Sequence, residues 1–301
     1  MSLEKSFKIV GIGEILWDLY PSGKRLGGAP ANFAYHISAL GHNGIVVSRV
    51  GDDYLGKEII NFLLRNNIES GYIQVDKIRP TGTVEVKIDK DNQPDYFIKE
   101  NVAWDFLGWR KNFFELSKKA DAICFGTISQ RNKATRKTIL NFLKAANNNT
   151  VKIFDINLRQ NFYNKQVIEE SLTLSTILKL NDFELKIIKD LLSINANYSE
   201  EESCNFLINK YKLNLVCLTK GEEGSMLVNE HSVCKCPAYP YKAVNRVGAG
   251  DAFTAAVLVN YLKKYSLKII NERANRLASW VTSKKEAMPI YNPDIKSIVD
   301  P

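Results

Sequence analysis

Asn245-Arg-Val-Gly-Ala-Gly-Asp-Ala-Phe-Thr-Ala255 is the stretch on which the fold turns. Gly248 and Gly250 flank one small residue, Ala249, so the backbone can turn sharply and bring bare N–H groups close to a phosphate. The run from Ala252 to Leu262 is apolar and rich in small residues, long enough for a buried helix. A glycine turn that opens a buried helix makes an anion hole, because the unpaired amides and the positive dipole end point the same way. Asp251, in the first turn, is placed to take a proton from a nucleophile held against that phosphate. The same residues also read as a loop with a helix-capping Asp.

Composition narrows the classes. At 301 residues, 45% of them hydrophobic, the chain can build one large α/β domain. The net charge of +8 is spread over scattered lysines with no basic arm, which suits anionic small molecules better than nucleic acid. No stretch is long and apolar enough to span a membrane, and no signal peptide opens the chain. Five cysteines in no zinc pattern read as reduced thiols of a cytoplasmic protein, with Cys234 and Cys236 on one face of a strand.

Read in order, Phe7-Lys-Ile-Val-Gly-Ile begins a central strand. Gly11 and Gly13 lack the third glycine of a dinucleotide fingerprint, since Leu16 stands in its place. Asp18 follows the strand end, where parallel sheets present ligand-binding groups, or it caps a turn. Gly27-Gly-Ala-Pro-Ala-Asn-Phe-Ala34 opens a helix that ends before Gly41. There Gly28 lets the backbone approach a ligand, and Asn32 offers the donor and acceptor that a polyhydroxylated ligand needs. A strand over 44–51 precedes a helix that Asp52 and Asp53 cap, capping being preferred to metal ligation.

Between about 72 and 105 the pattern alternates around a polar turn at Asp89–Asn92, as in a hairpin exposed on one face. Inside a β-α chain this reads as an appended lid, including about 15–26, with Trp104 among aromatics able to flank a ligand. Strands are expected over 122–126, 151–157 and 215–219, with helices over 133–147, 165–176, 182–192 and 200–211. Asp155, Asn157 and Arg159 alternate out of a strand end, and the Arg159 guanidinium suits phosphate oxygens. Asn181-Asp-Phe-Glu184 either caps a helix or holds magnesium through waters. Thr219-Lys-Gly221-Glu-Glu-Gly224 is a glycine turn between strands that either lines a nucleotide or closes a hairpin.

Together these stretches resemble the ribokinase-like, PfkB-type carbohydrate kinases. The likeness spans nearly the whole chain and rests on the 27–34 and 248–251 signatures, with 181–184 and 219–221 between. Gly13-Glu-Ile-Leu-Trp-Asp-Leu-Tyr-Pro21, Val102-Ala-Trp-Asp105 and Asn157-Leu-Arg159 look like the fructokinase branch. The resemblance implies a single domain over 1–301, a three-layer α/β/α sandwich around a mostly parallel sheet with a small β lid.

It further implies an ATP- and Mg²⁺-dependent sugar kinase, best matched to fructose, with ribose or 2-keto-3-deoxygluconate as the nearest alternatives. A non-catalytic sugar-binding regulator is the alternative of another class. By resemblance Asp251 is the base, working near its ordinary pKa, and Gly248, Ala249 and Gly250 cradle the phosphoryl group. Asp18, Gly28 and Asn32 hold the sugar, beside Arg159 and Trp104. Asn181, Thr219, Gly221 and Gly224 line ATP, and Glu184 places the metal. Free lid edges imply a homodimer. Where the family commonly carries Asp-Thr before the second signature, Asn245 and Arg246 stand, which puts K⁺ activation in doubt and offers Arg246 as the cation's substitute. Glu286 replaces a usual glycine before Ala287.

Overall fold

Strands buried on both faces need apolar residues in unbroken runs, and the central sheet is built from such runs. The computed structural model describes residues 6–88 and 94–301. Its elements are β1 (Lys8–Ile12), β2 (Leu16–Tyr20), β3 (Gly23–Gly27), α1 (Ala29–Ala39), β4 (Asn43–Gly51), α2 (Tyr54–Arg65), β5 (Ile73–Asp76), β6 (Gly82–Ile88) and β7 (Pro94–Ile98). Then follow α3 (Lys111–Lys119), β8 (Ala122–Phe125), α4 (Lys133–Ala145), β9 (Val151–Asp155), α5 (Lys165–Thr173), β10 (Ile177–Asn181), α6 (Asp182–Leu191) and α7 (Glu200–Tyr211). The chain closes with β11 (Leu215–Thr219), β12 (Ser225–Val228), β13 (Val233–Cys236), α8 (Ala249–Leu262), α9 (Leu267–Thr282) and α10 (Pro293–Val299).

Among the described residues the main sheet has nine strands in the order β13-β12-β11-β10-β9-β8-β1-β4-β5. All its pairings are parallel except those of β12 with β11 and β13. Alternation along each strand feeds two cores. Ile123, Phe125, Phe154, Leu178, Leu180, Val216 and Leu218 face one side, toward α3 to α7. Ala122, Cys124, Ile153, Ile177, Leu215 and Cys217 face the other, toward α1, α8, α9 and α10. The result is the three-layer sandwich expected from the sequence.

α8 is apolar around its whole circumference and buried from Ala252 to Asn260, which it can be only because the sheet, α1 and α9 enclose it. The expected capping holds at α2, where Asp53 accepts the Gly56 amide at 2.8 Å and the Thr81 amide at 2.8 Å.

The lid is a separate sheet ordered β3-β2-β6-β7. Two antiparallel hairpins, β2–β3 and β6–β7, join through a parallel β2–β6 pairing. Its extent differs from the sequence expectation at both ends. β5 pairs with β4 as the edge of the main sheet. Residues 103–106 form a short 3₁₀ turn in the body, because Trp104 buries there completely. The polar turn expected at Asp89–Asn92 lies outside the described residues. β10 is not foreseen from the sequence, because Lys179 interrupts its short apolar run between two helices.

Close approach of α1 to β4 sets the height of Asn32 over the sheet. A Cβ on Gly44 would overlap the Ala34 carbonyl oxygen. Gly44→Ala is therefore expected to lower unfolding stability by about 1–3 kcal/mol, read from the urea midpoint. An unshifted midpoint would show that the contact relaxes without strain.

Candidate active site

The first turn of α8 lies at the carboxyl ends of the parallel strands, where α/β sheets open their binding crevice. Gly248 is its N-cap, with φ of 83°, and a Cβ there would stand 2.7 Å from the Cβ and carbonyl oxygen of Ala287. Glycine is thus required twice over, by the left-handed backbone and by the neighbouring loop. The turn delivers Asp251 to the floor of a cleft of about 630 Å³, lined also by Gly248 and Gly250. That volume suits a small organic ligand. Asn32, from the first turn of α1, donates from Nδ2 to Asp251 Oδ2 at 2.8 Å. The two signatures, 219 residues apart, therefore meet at one hydrogen bond.

The electrostatics differ from the expectation of an ordinary carboxylate. Burial pushes the Asp251 carboxyl up to about 7, and the charge of Asp155 adds to the shift. The Asn32 hydrogen bond and the Lys179 charge oppose it without cancelling it. Asp155, at the end of β9, takes Lys179 Nζ on Oδ1 at 3.0 Å. On Oδ2 it accepts the Thr254 hydroxyl of α8 at 2.9 Å. Burial alone would lower the Lys179 ammonium, but Asp155, Glu184 and Asp251 outweigh it and the net shift is upward. Glu14, just past β1, is buried with Oε2 unpartnered and lines the same cleft. Its pKa is raised to about 7 by burial, against hydrogen bonds from the backbone and from Ser129. Neither Glu14 nor Lys179 was singled out by the sequence. The signal was present as a lone charge in each of two apolar stretches.

The structure brings most of the expected residues together. Asp18, Gly28, Asn32, Arg159, Asn181, Thr219 and Gly221 all line the cleft. The Asp18 carboxyl is raised to about 6 by burial, while the charges of Arg159 and Arg25 pull it down. Asp155, Asn157 and Arg159 all line the cleft, although strand alternation is not the cause. β9 ends at Asp155, and Asn157 turns the chain with φ of 44°.

Two expectations, those for Trp104 and Gly224, are corrected. Trp104 is fully buried, lies against Gly82 and carries the Arg131 guanidinium 4.1 Å from its ring centre, so it packs the body behind the lid. Gly224 closes the β11–β12 hairpin, where a Cβ would overlap the Cys236 carbonyl, and does not line the cleft. Glu184 is a capping residue whose Oε1 accepts the Leu158 amide at 2.9 Å and whose Oε2 accepts the Asn181 amide at 2.8 Å. Its oxygens are held by the backbone, and among the described residues no three acidic, His or Cys side chains group to hold a metal. Each oxygen keeps a further lone pair and Glu184 lines the cleft, so the capping role is compatible with a magnesium held through waters. Arg246 extends outward, 77% exposed, and pairs with Glu222 at 2.6 Å. It also lines the cleft, together with Gly248, Gly250 and Asp251. Asn245 instead donates to the Lys285 carbonyl at 2.9 Å, and Arg25 of the lid donates to the same oxygen at 3.1 Å.

Comparison with known proteins agrees with this arrangement. The model of the pfkB family of carbohydrate kinases matches residues 22–294. A sugar kinase of Pyrococcus horikoshii is 28% identical, with 93% of this chain and 91% of that one covered. The structure of that kinase in complex with ATP superimposes with a TM-score of 0.80 over 93% of this chain and 94% of that one. A probable fructokinase of Arabidopsis thaliana is also 28% identical, with 93% of each chain covered. The fold, the two glycine signatures meeting at Asp251 and the family match lead to one conclusion: the chain belongs to the pfkB family of carbohydrate kinases.

Proposed function

We propose that the protein transfers the γ-phosphoryl group of ATP to a hydroxyl of a small sugar, with fructose to fructose 6-phosphate as the preferred reaction. The observation that carries this reading is Asp251, held by Asn32 at the open floor of the cleft beside a glycine turn at a helix N-terminus. Phosphoryl transfer asks chiefly for positioning and for stabilisation of charge on the transferring group. Asp251 takes the hydroxyl proton as the sugar oxygen closes on phosphorus. The amides of the first turn of α8 face the phosphoryl oxygens. Asp18, Gly28 and Asn32 hold the sugar. Asn181, Thr219 and Gly221 line the nucleotide, and magnesium travels with its phosphates.

Fructose is favoured by the fructokinase-like stretches 13–21, 102–105 and 157–159 and by fructokinases among the relatives at 26–28% identity. A sugar acid such as 2-keto-3-deoxygluconate is the second reading, because Arg159 lines the cleft and can meet a carboxylate. Its charge already acts on Asp18 and Glu14, which favours a neutral sugar beside it. The exposed Phe97 on β7 supports pairing of two chains through the lid.

ADP release with fructose, ribose and 2-keto-3-deoxygluconate tests the substrate, and fructose is expected to give the highest kcat/KM. Release with another sugar alone would reassign the substrate, and release with none of a broad panel would favour a sugar-binding regulator. A base must be ionised to accept a proton. With Asp251 raised to about 7 in the free protein, kcat/KM is expected to fall roughly tenfold per pH unit below that value and level off above it. A profile flat from pH 5 to 8 would remove Asp251 as the titrating base. Light scattering after size exclusion is expected to give a dimer, and a strict monomer would remove the lid interface.

A further inference from the structure

Lys179 is a charged residue inside an apolar strand, with its side chain only 10% exposed. It shares with Ile177 the face of β10 that looks toward α8. Its Nζ lies 3.0 Å from Asp155 Oδ1 and 3.1 Å from where a Cβ on Gly250 would stand. The ammonium therefore sits directly under the glycine turn, and it lines the cleft together with Gly248, Gly250 and Asp251. An ammonium has three donors, and Asp155 takes one of them. Asp155 is itself fixed, because its second oxygen holds Thr254, one turn along α8 from Gly250.

A buried lysine paired to an aspartate can serve as structure alone, but an apolar pair would serve that purpose as well or better. What an apolar pair cannot supply is a fixed positive charge at the turn where negative charge is to be bound.

We propose that Lys179 is a catalytic residue whose ammonium contacts the transferring phosphoryl group from beneath the 248–250 turn. The inference rests on the kinase reading above. As the sugar oxygen–phosphorus bond forms, the bond from phosphorus to the bridging oxygen of the nucleotide breaks. The hydroxyl proton passes to Asp251. Lys179 keeps its proton throughout and acts by charge on the equatorial oxygens, where it counts most in a site shielded from water. Arg246 lines the cleft as well, but its side chain is 77% exposed, whereas the Lys179 ammonium is buried beneath the turn.

The test compares K179M, K179R and the paired variant D155N/K179M with the wild type, using the sugar that the substrate panel identifies. K179M is expected to lower kcat by about 100-fold or more while sugar KM changes little. The acid limb set by Asp251 should also move to higher pH. The groups facing Asp251 are Asp155, Glu14 and Lys179, and removing the one cation leaves only carboxylates to raise it further. K179R, which keeps the charge but not its position, should fall between the two.

The paired variant removes both charges, so it is expected to recover thermal stability and still turn over slowly. If K179M does not fold, the paired variant carries the test. Recovery of wild-type kcat in D155N/K179M, or near-normal kcat in a folded K179M, would overturn the proposal and leave Lys179 as a counter-ion to Asp155. A wild-type chain inactive on every sugar would instead overturn the kinase reading beneath it.

Discussion

The site depends on one constraint, the burial of a helix that has no polar face. α8 must be enclosed, and the sheet, α1 and α9 enclose it. Enclosure fixes its axis, and the polar ties at its start fix its register. Thr254 reaches Asp155 at 2.9 Å, Asp155 reaches Lys179 at 3.0 Å, and Asn32 reaches Asp251 at 2.8 Å. Gly248 meets Ala287 closely enough that the loop before the helix has little freedom either. The amides of the first turn and the Asp251 carboxylate are thereby aimed before any ligand arrives, the condition under which fixed dipoles stabilise developing charge without reorganisation.

The same enclosure makes the charges beneath the turn expensive. Glu14, Asp155, Glu184 and Asp251 all bear on a region that holds one ammonium, Lys179. The backbone offsets part of the cost, since Glu184 spends both oxygens on amides. The remainder shows as raised carboxyl pKa values, about 7 for Asp251 and about 7 for Glu14. A general base near neutrality is the useful outcome of this crowding. The ordinary carboxylate expected from the sequence would have been a poorer match to proton uptake at physiological pH.

Much of this was legible in the residues. A glycine turn before an apolar run announces itself locally, as does Pro30 at the start of α1 or Asp53 at the start of α2. Two signatures at opposite ends of the chain fixed the family and the parallel sheet. What was not legible depended on partners distant in sequence. Lys179 interrupts the apolar run of β10, so the strand itself was missed, and only Asp155 and Gly250 explain the charge. Trp104 is aromatic and near the lid in sequence, but whether it faces the cleft or Arg131 is decided by a contact made elsewhere. Glu184 fits capping and metal binding equally well in sequence, and the Leu158 amide on its second oxygen comes from a segment 26 residues away that the local motif does not reveal. The lid hairpin was visible in its alternation, but not its pairing through β2, because pairing order leaves no trace in either strand alone.

The central claim is that Asp251 acts in the transition state and not in holding the sugar. Asp251→Asn keeps the shape and can still accept the Asn32 hydrogen bond through its amide oxygen, but it cannot take a proton. Turnover and calorimetric sugar affinity of this variant, measured side by side, test the claim most directly. The account predicts a kcat lower by about 100-fold or more with sugar affinity nearly unchanged. Near-normal turnover would contradict it, as would a loss of sugar affinity large enough to explain the whole loss of rate.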